Sequence, residues 1–213
     1  MKTKDVLLVL GSVLAIAGAA LFIWKNHFAA PKINVALHQG IGEALANETI
    51  RCLDNQGDIL VITMADRDSD ILAAQFAAFR AKIETSGVRI KDVELIDSEK
   101  KDKYRPGQGL SASKLTREVK KNEKRAAIIS FVGLPRLDDE EFAALGEKVP
   151  PLLAFSRDRD KAGALIKRGL AKVVIVPRFK FPAPGPESPK TPGEWFTNQY
   201  QIIGAHNSGA TQK

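Results

Sequence analysis

The chain has 213 residues, of which 44% are hydrophobic and 27% charged, the composition of a folded protein and not of a disordered one. Its 32 basic and 25 acidic side chains give a net charge of +7, and the single cysteine, Cys52, excludes an internal disulfide and a cysteine-rich metal site. The length is enough for one globular domain with additional terminal segments.

The N-terminal segment predicts a membrane anchor. Residues 6–24 form an apolar run of nineteen positions without a charged side chain. A helix of this length spans roughly 30 Å, the thickness of the hydrocarbon core of a membrane. A cleaved signal peptide is the alternative, but its apolar region is usually about 7–15 residues long. We therefore expect residues 1–25 to be an uncleaved transmembrane helix that precedes the folded domain.

Charges at the two ends of this helix predict its orientation. Lys2 and Lys4 precede the apolar run and favour a cytoplasmic N-terminus, whereas Lys25 and Lys32 on the other side oppose that bias. We expect the remainder of the chain to lie outside the cytoplasm, on the periplasmic side of the cell membrane.

Gly11, Ala15 and Ala19 are spaced by four and therefore share one face of the predicted helix. Small residues at this spacing let two transmembrane helices approach closely, which suits a homodimer. The alternative is that glycine and alanine are simply frequent in such helices. A homodimer through this face is a hypothesis that the sequence leaves open.

Residues 26–57 predict a spacer and a leading helix. We expect residues 26–39 to be a short spacer and residues 41–53 to be a helix, with Ile41, Leu45 and Leu53 among its apolar positions. The turn-forming residues from Asn55 to Gly57 end this helix.

An alternation of strands and helices follows and predicts an α/β domain over residues 58–179. The predicted strands are residues 59–62, 88–96, 126–132, 151–155 and 172–176, and the helices between them are residues 69–85, 111–124, 138–147 and 157–168. Short apolar strands that alternate with helices are typical of a parallel sheet that is buried on both faces. We expect a three-layer α/β/α sandwich, Rossmann- or flavodoxin-like, with a five-stranded parallel sheet. The order 2-1-3-4-5 is favoured, although the sequence does not fix it.

The C-terminal segment, residues 180–213, predicts a stiff linker and an aromatic tail. Five of the eleven prolines lie between Pro182 and Pro192. Thr191 and Glu194 then form a capping box at the start of a short helix, which Trp195 and other aromatic residues follow. Such a patch either docks onto the sandwich or binds a partner. We expect docking, because dense exposed aromatic residues are a liability.

Polar side chains after the predicted strands nominate a ligand site. In open parallel sheets, ligands bind at the carboxyl ends of the strands, near the point where the strand order reverses. The candidate ligand-binding residues at this edge are Asp66, Arg67, Asp68, Ser130, Ser156 and Arg157. Their mixture of acids and arginines suits a hydroxyl-rich or zwitterionic ligand. The alternative is that Ser69, Asp70, Ser156 and Asp158 only cap the helices that follow.

No catalytic, metal or cofactor site is predicted from these residues. The alternating acids after the first strand do not form an EF-hand loop, because Ile71 and Ala77 occupy the positions of its glycine and glutamate. The three histidines, His27, His38 and His206, fall outside the predicted sandwich, so a histidine triad or metal site is not expected. The basic helix at residues 111–124 lacks interleaved aromatic residues, so we expect no nucleic-acid partner.

A hydrolase is the alternative from another functional class. Asp66 and Asp68 follow an apolar strand, as do the acids of the Asp-x-Asp-x-Thr motif of haloacid dehalogenase-type phosphatases. Asp70 stands in the place of the threonine, and no convincing lysine with paired acids follows. The alternative function is therefore a membrane-anchored, metal-dependent, phosphatase-like hydrolase that uses Asp66 and Asp68.

Residues 59–176 resemble one lobe of a type I periplasmic substrate-binding protein of the sugar-receptor kind. Residues 128–162 in particular look like the third strand, the helix and the fourth strand with its acidic turn in that family. By position, Asp66, Arg67, Ser130 and Ser156 match the family's ligand-facing edge. The resemblance implies a non-enzymatic domain that binds or scaffolds a small polar ligand, or a protein partner that supplies the place of the second lobe.

Overall fold

The computed structural model describes residues 13, 15–22, 33–64, 69–96, 110–178 and 189–204 of the chain. They belong to two compact units, Met1–Ile33 and Asn34–Lys213.

In the first unit, residues 13 and 15–22 are helical. Its large apolar side chains Val13, Ile16, Leu21 and Phe22 are 60–70% exposed. Among the described residues, no helix has both the length and the apolar character needed to cross a membrane. The remaining positions of the predicted span 6–24, including Gly11 of the small-residue face, lie outside the described residues.

The second unit is an α/β domain, and its described residues form six helices and six strands. The helices are α1 (Val35–Cys52), α2 (Asp70–Ile83), α3 (Ala112–Lys121), α4 (Asp139–Ala143), α5 (Arg159–Lys167) and α6 (Pro192–Gln199). The strands are β1 (Gly57–Met64), β2 (Val88–Ile96), β3 (Ala127–Ser130), β4 (Leu152–Phe155), β5 (Ala171–Pro177) and β6 (Tyr200–Gly204).

The strands form one mixed sheet in the order β2-β1-β3-β4-β5-β6. The first five strands are parallel, and their predicted order is confirmed. The prediction of a five-stranded, wholly parallel sheet was wrong, because β6 pairs antiparallel with β5 from Tyr200 opposite Pro177 to Gly204 opposite Val173. The five residues of β6 lie within the predicted aromatic tail. The described part of that tail docks onto the domain, as expected.

The helices cover both faces of the sheet. On one face α1 contacts both α2 and α6. On the other face α3 contacts α4, and the Arg168 guanidinium at the end of α5 lies over the Phe142 ring of α4, 3.9 Å from its centroid. Right-handed crossovers explain why the helices lie on two faces. The chain moves across the sheet in one direction from β1 to β2 and in the opposite direction from β2 to β5, so the connecting helices fall on opposite faces. The central strands between the two layers are buried.

Helix α1 begins earlier than the sequence predicted. The Asn34 side chain accepts a hydrogen bond from the backbone N–H of Leu37 at 3.1 Å and caps the helix, so residues 35–39 are helical and not spacer. Leu37 and His38 are buried in its first turns. The prediction that His38 lies outside the sandwich was therefore wrong, and the histidine belongs to the folded domain.

Polar side chains cap the other helices at their N-termini. Ser69 caps α2, Asp158 caps α5 and Thr191 caps α6, each by accepting a hydrogen bond from a backbone N–H three residues later. At α4 the Asp138 carboxylate accepts from the Glu141 N–H at 2.7 Å, while the Glu141 carboxylate accepts from the Asp138 N–H at 3.0 Å. Asp138 therefore caps α4, which ends at Ala143 and not at the predicted residue 147.

Two glycines of α1 allow its neighbours to approach it at backbone distance. A Cβ atom added at Gly42 would collide with the Gln75 carbonyl of α2, and one added at Gly40 would collide with the Pro192 carbonyl of α6. Both neighbouring atoms belong to the backbone, so they move only if a helix moves. The absence of side chains at Gly40 and Gly42 therefore fixes how closely α2 and α6 pack on α1.

We predict that Gly42→Ala and Gly40→Ala each lower the free energy of unfolding by about 1–3 kcal/mol, because the added methyl group must displace a helix backbone. Gly163→Ala in α5 is the matched control: nothing lies within 4 Å of its added Cβ. That change should be neutral or stabilise the protein by about 0.5–1 kcal/mol. Urea unfolding measures all three, and equal effects at the three positions would contradict close packing at α1.

Candidate functional site

The carboxyl ends of β1, β3, β4 and β5 lie along one edge of the sheet, because these strands are parallel neighbours. The strand order reverses at β1, which has β2 on one side and β3 on the other. Ligands bind outside this edge in folds of this kind. Asp66, Arg67 and Asp68 follow β1 directly but lie outside the described residues.

Helix α1 begins at the same edge. It ends at Cys52 and a short turn leads into β1 at Gly57, so helix and strand run in opposite directions. Asp54 and Asn55 make this turn in the left-handed region, with φ of 49° and 59°. The N-terminus of α1, with His38 in its first turns, therefore lies near the carboxyl ends of the strands.

Ser130 at the end of β3 is fully buried, and its hydroxyl donates a hydrogen bond to the Gly133 carbonyl at 2.7 Å. Gly133 has a φ of 91°, a conformation that favours glycine. The hydroxyl thus holds the loop that leaves β3. Its role in the structure is to shape the edge of the sheet.

The loop after β4 uses its polar side chains in the same way. The Ser156 hydroxyl lies 3.2 Å from both the N–H and the carbonyl of Asp158, accepting from the first and donating to the second. The Asp158 carboxylate accepts from the Lys161 N–H at 2.9 Å as the cap of α5. Arg157 between them is exposed, and no hydrogen bond or ion pair joins its guanidinium to another described residue.

His38 and Gln75 form a buried polar pair between α1 and α2. The Gln75 Nε2 lies 3.3 Å from the His38 Nδ1. Burial lowers the pKa of the His38 imidazole below its ordinary value of 6.5, and the positive charge of Arg157 lowers that pKa further. The imidazole is therefore mainly neutral at pH 7. The Gln75 Oε1 is buried without a hydrogen-bond partner among the residues that the structure describes.

Tyr200 at the start of β6 packs against two other aromatic rings. Its ring meets the Phe155 ring edge-on with the centroids 5.6 Å apart, and it stacks on the Phe196 ring at 6.3 Å. Burial raises the pKa of its phenol, while the charge of Arg157 acts in the opposite direction. Arg178 holds the strand in place, since its Nε donates to the Tyr200 carbonyl at 3.1 Å.

His38, Gln75 and Tyr200 were not among the candidates from the sequence. The spacing of Leu37, Ile41 and Leu45 behind Asn34 would have extended α1 to include His38. Tyr200 was placed in the docking tail without a strand. Its position beside Phe155 depends on the pairing of β6 with β5, which no local pattern reveals.

A separate open cavity of about 310 Å³ lies between the β3–α4 loop and α5. Its lining includes Arg136, Leu137, Asp160, Lys161 and Arg168. Arg168 is engaged there, because it donates to the Leu137 carbonyl at 3.1 Å and to the Asp139 carboxylate at 3.1 Å. Within the described ranges, no three acidic, histidine or cysteine side chains cluster as metal ligands.

No protein-family model matches the sequence, and no curated protein matches it. Solved structures do match. AraP, an arabinose-binding protein from Geobacillus stearothermophilus, is 13% identical with a TM-score of 0.53 over 80% of this chain and 61% of AraP. An ABC-transporter solute-binding protein from Burkholderia graminis, in complex with D-arabinose, is 14% identical with a TM-score of 0.52 over 83% of this chain and 62% of that protein.

XylFII in the XylFII–LytSN complex is also similar, with 13% identity and a TM-score of 0.52 over 79% of this chain and 60% of XylFII. The chain therefore spans about 60% of the length of these neighbours. At these identities the shared property is the fold. The predicted resemblance is confirmed at that level: the domain has the fold of the sugar-binding proteins of ABC transporters.

We predict that His38 makes the stability of the domain depend on pH near neutrality. Because its pKa is lowered in the folded state, the unfolded chain binds the proton first as the pH falls below about 6.5. Stability should be full above that pH and decline below it, with a contribution of at most about 1.4 kcal/mol per pH unit.

The measurement is urea unfolding of the wild-type chain and of His38→Gln between about pH 5 and pH 8. The variant should lose this part of the slope, whereas titration of His27 and His206 is common to both proteins and cancels in the difference. Parallel pH profiles would show that His38 titrates alike in the folded and unfolded states.

Proposed function

We propose that this protein is a membrane-anchored, extracytoplasmic binding protein whose α/β domain holds a small polar ligand without catalysing a reaction. The observation that carries the proposal is the fold that the domain shares with AraP and with the D-arabinose-bound solute-binding protein. The arabinose ligands of these two neighbours support a hydroxyl-rich small molecule as the ligand of this chain.

The ligand edge that we propose is the carboxyl edge of the sheet beside β1, β3 and β4. Asp66, Arg67 and Asp68 are assigned to ligand contact by their position after β1. Arg157 is assigned to it because its guanidinium is exposed and has no partner among the described residues. Ser130 and Ser156 are assigned to the shape of the edge, since each hydroxyl is already bonded to a nearby backbone group.

Anchoring through residues 6–24 is the second part of the proposal. The helical residues Ile16, Leu21 and Phe22 expose 68–70% of their surface, and exposed apolar side chains at this density need an apolar environment. Lys2 and Lys4 favour a cytoplasmic N-terminus and hence an extracytoplasmic domain. Ala15 and Ala19, with Gly11, supply the face through which two such helices would pair as a homodimer.

A protein partner is the second candidate occupant of the ligand edge. XylFII, which has the same fold, is found in a complex with LytSN. A neighbouring protein surface would enclose the edge on the side that the described domain leaves open. In that case the chain would act as a scaffold.

We predict that a polyhydroxylated small molecule raises the melting temperature of the full-length chain in detergent. At a hundredfold excess over Kd the stabilisation is about 2.7 kcal/mol, or roughly 5–10 °C for a domain of this size. The panel contains arabinose, xylose, galactose and glucose with the corresponding sugar acids, and also myo-inositol. Thermal unfolding followed by circular dichroism provides the readout, and phosphoester turnover with Mg²⁺ is measured in parallel.

The outcomes separate the candidate functions. Stabilisation without turnover supports a binding protein. Turnover of a phosphoester that disappears in Asp66→Asn would replace it with the hydrolase. No stabilisation by any compound would rule out small-ligand binding by the chain and leave the protein partner as the occupant.

We also predict that a reporter fused after Lys213 lies outside the cytoplasm. An alkaline phosphatase fusion should be active and a green fluorescent protein fusion dark, because the first folds only in an oxidising compartment and the second does not mature after export. Replacing Lys2 and Lys4 by glutamate should lower the phosphatase signal, since positive charge retains the N-terminus inside. The opposite pair of signals in the wild-type chain would place the domain in the cytoplasm.

A further inference from the structure

We propose that the ligand carries a carboxylate, and that Arg157 binds this group with the His38 imidazole and the Tyr200 hydroxyl beside it. The inference rests on the proposed function and specifies its ligand class: a sugar acid or another polyhydroxy acid is bound in preference to the matching neutral sugar.

Arg157 differs from most other described arginines because its guanidinium has no hydrogen bond or ion pair with a described residue. Seven arginines of the domain donate to an acidic side chain or a backbone carbonyl, and these are Arg51, Arg80, Arg89, Arg117, Arg125, Arg168 and Arg178. Arg159 also has a partner. Within the described residues, Arg136 and Arg157 alone have no hydrogen bond or ion pair. Of these two, Arg157 lies at the carboxyl end of a strand, directly after β4.

Contacts between four elements bring the three proposed groups to one place. Phe155 precedes Arg157 by two residues and meets the Tyr200 ring, which stacks on Phe196 of α6. Helix α1, whose first turns contain His38, contacts β4. The charge of Arg157 lowers the pKa of both the His38 imidazole and the Tyr200 phenol, so Arg157 lies near both groups. The loop after β4 thus lies next to both α1 and the start of β6.

The neutral groups beside Arg157 can donate hydrogen bonds. When the Gln75 amide donates to the His38 Nδ1, the imidazole carries its proton on Nε2. The Tyr200 hydroxyl has no hydrogen-bond partner among the described residues, and the neutral phenol is also a donor. A guanidinium fork with two adjacent donors matches the geometry of a carboxylate with neighbouring hydroxyl groups.

The charges of the described residues around Arg157 favour an anion at this position. The nearest acid in the loop, Asp158, is committed to the cap of α5, and its carboxylate lies 3.9 Å from the Lys161 ammonium. Helix α1 has 18 residues and no acidic residue in its first turn, so the positive end of its dipole is not compensated there. With His38 neutral, the described part of this site carries one unpaired positive charge. That charge balances a carboxylate better than a phosphate dianion.

The test is isothermal titration of the full-length chain in detergent with four matched pairs. They are galacturonate and galactose, glucuronate and glucose, gluconate and glucitol, and arabinonate and arabinose. At least one acid should bind at least about tenfold more tightly than its neutral counterpart, because a hydrogen bond to a charged group is worth more than one between neutral groups. Arg157→Gln should weaken binding of that acid by about ten- to a hundredfold, and Arg157→Lys by less, since the charge remains.

Arg136→Gln is the matched control, because it removes the same charge from the other unpaired arginine. It should leave the affinity unchanged. A loss of acid binding in Arg136→Gln and not in Arg157→Gln would place the anion at the cavity beside α5 and overturn the inference. The melting temperatures without ligand show whether each variant folds, and Arg157→Lys keeps the comparison valid if Arg157→Gln does not.

Two further outcomes distinguish this inference from the proposed function. If a neutral sugar binds at least as tightly as its acid and Arg157→Gln has no effect, the carboxylate preference is wrong while sugar binding stands. If none of the eight compounds binds, the proposed function itself is wrong and the inference fails with it.

Discussion

The backbone-distance packing of α1 between α2 and α6 is the constraint on which the candidate site depends. Gly42 admits the Gln75 carbonyl of α2, and Gly40 admits the Pro192 carbonyl of α6. The first contact places Gln75 against His38, and the second holds the start of α6 on α1. Since β6 follows α6 without a break, that contact also delivers Tyr200 to Phe155 at the end of β4. Because Gly40 and Gly42 have no side chains, α2 and α6 pack closely on α1, and groups from distant parts of the chain come together.

Local sequence patterns were sufficient to predict the central strands but not the structure at the two ends of the domain. The strands β1, β3, β4 and β5 are apolar runs, and right-handed crossovers leave few possible orders for them. At the N-terminal end, the predicted spacer over residues 26–39 overlaps the first turns of α1, and no local pattern shows that two helix backbones contact Gly40 and Gly42. At the other end, β6 is a half-exposed edge strand whose partner β5 lies beyond a proline-rich connector. Its pairing is a tertiary contact that the pattern of Tyr200–Gly204 does not contain.

In the candidate site, the sequence predicts where a side chain lies but not whether that side chain is free to bind a ligand. Ser130, Ser156 and Arg157 follow the strand ends that topology nominates, so their position was predictable. Whether a side chain is available for a ligand depends on the turn that follows it. The Ser130 and Ser156 hydroxyls bond to carbonyls two or three residues later, and Ser69 and Asp158 cap helices. Residue types that suit ligand contact also suit turns and caps, so sequence alone cannot separate the two uses.

The charge state of the site follows from this packing. A histidine exposed beside an arginine would be partly protonated near neutrality and would add a second positive charge to the edge. Burial of His38 against Gln75 removes that charge, and Arg157 itself opposes its return. The imidazole therefore contributes as a neutral hydrogen-bonding group, and among the described residues of the site the Arg157 guanidinium carries the charge. Within this part of the site, discrimination between an acid and its neutral counterpart depends on Arg157, while recognition of hydroxyl groups is left to its neutral neighbours.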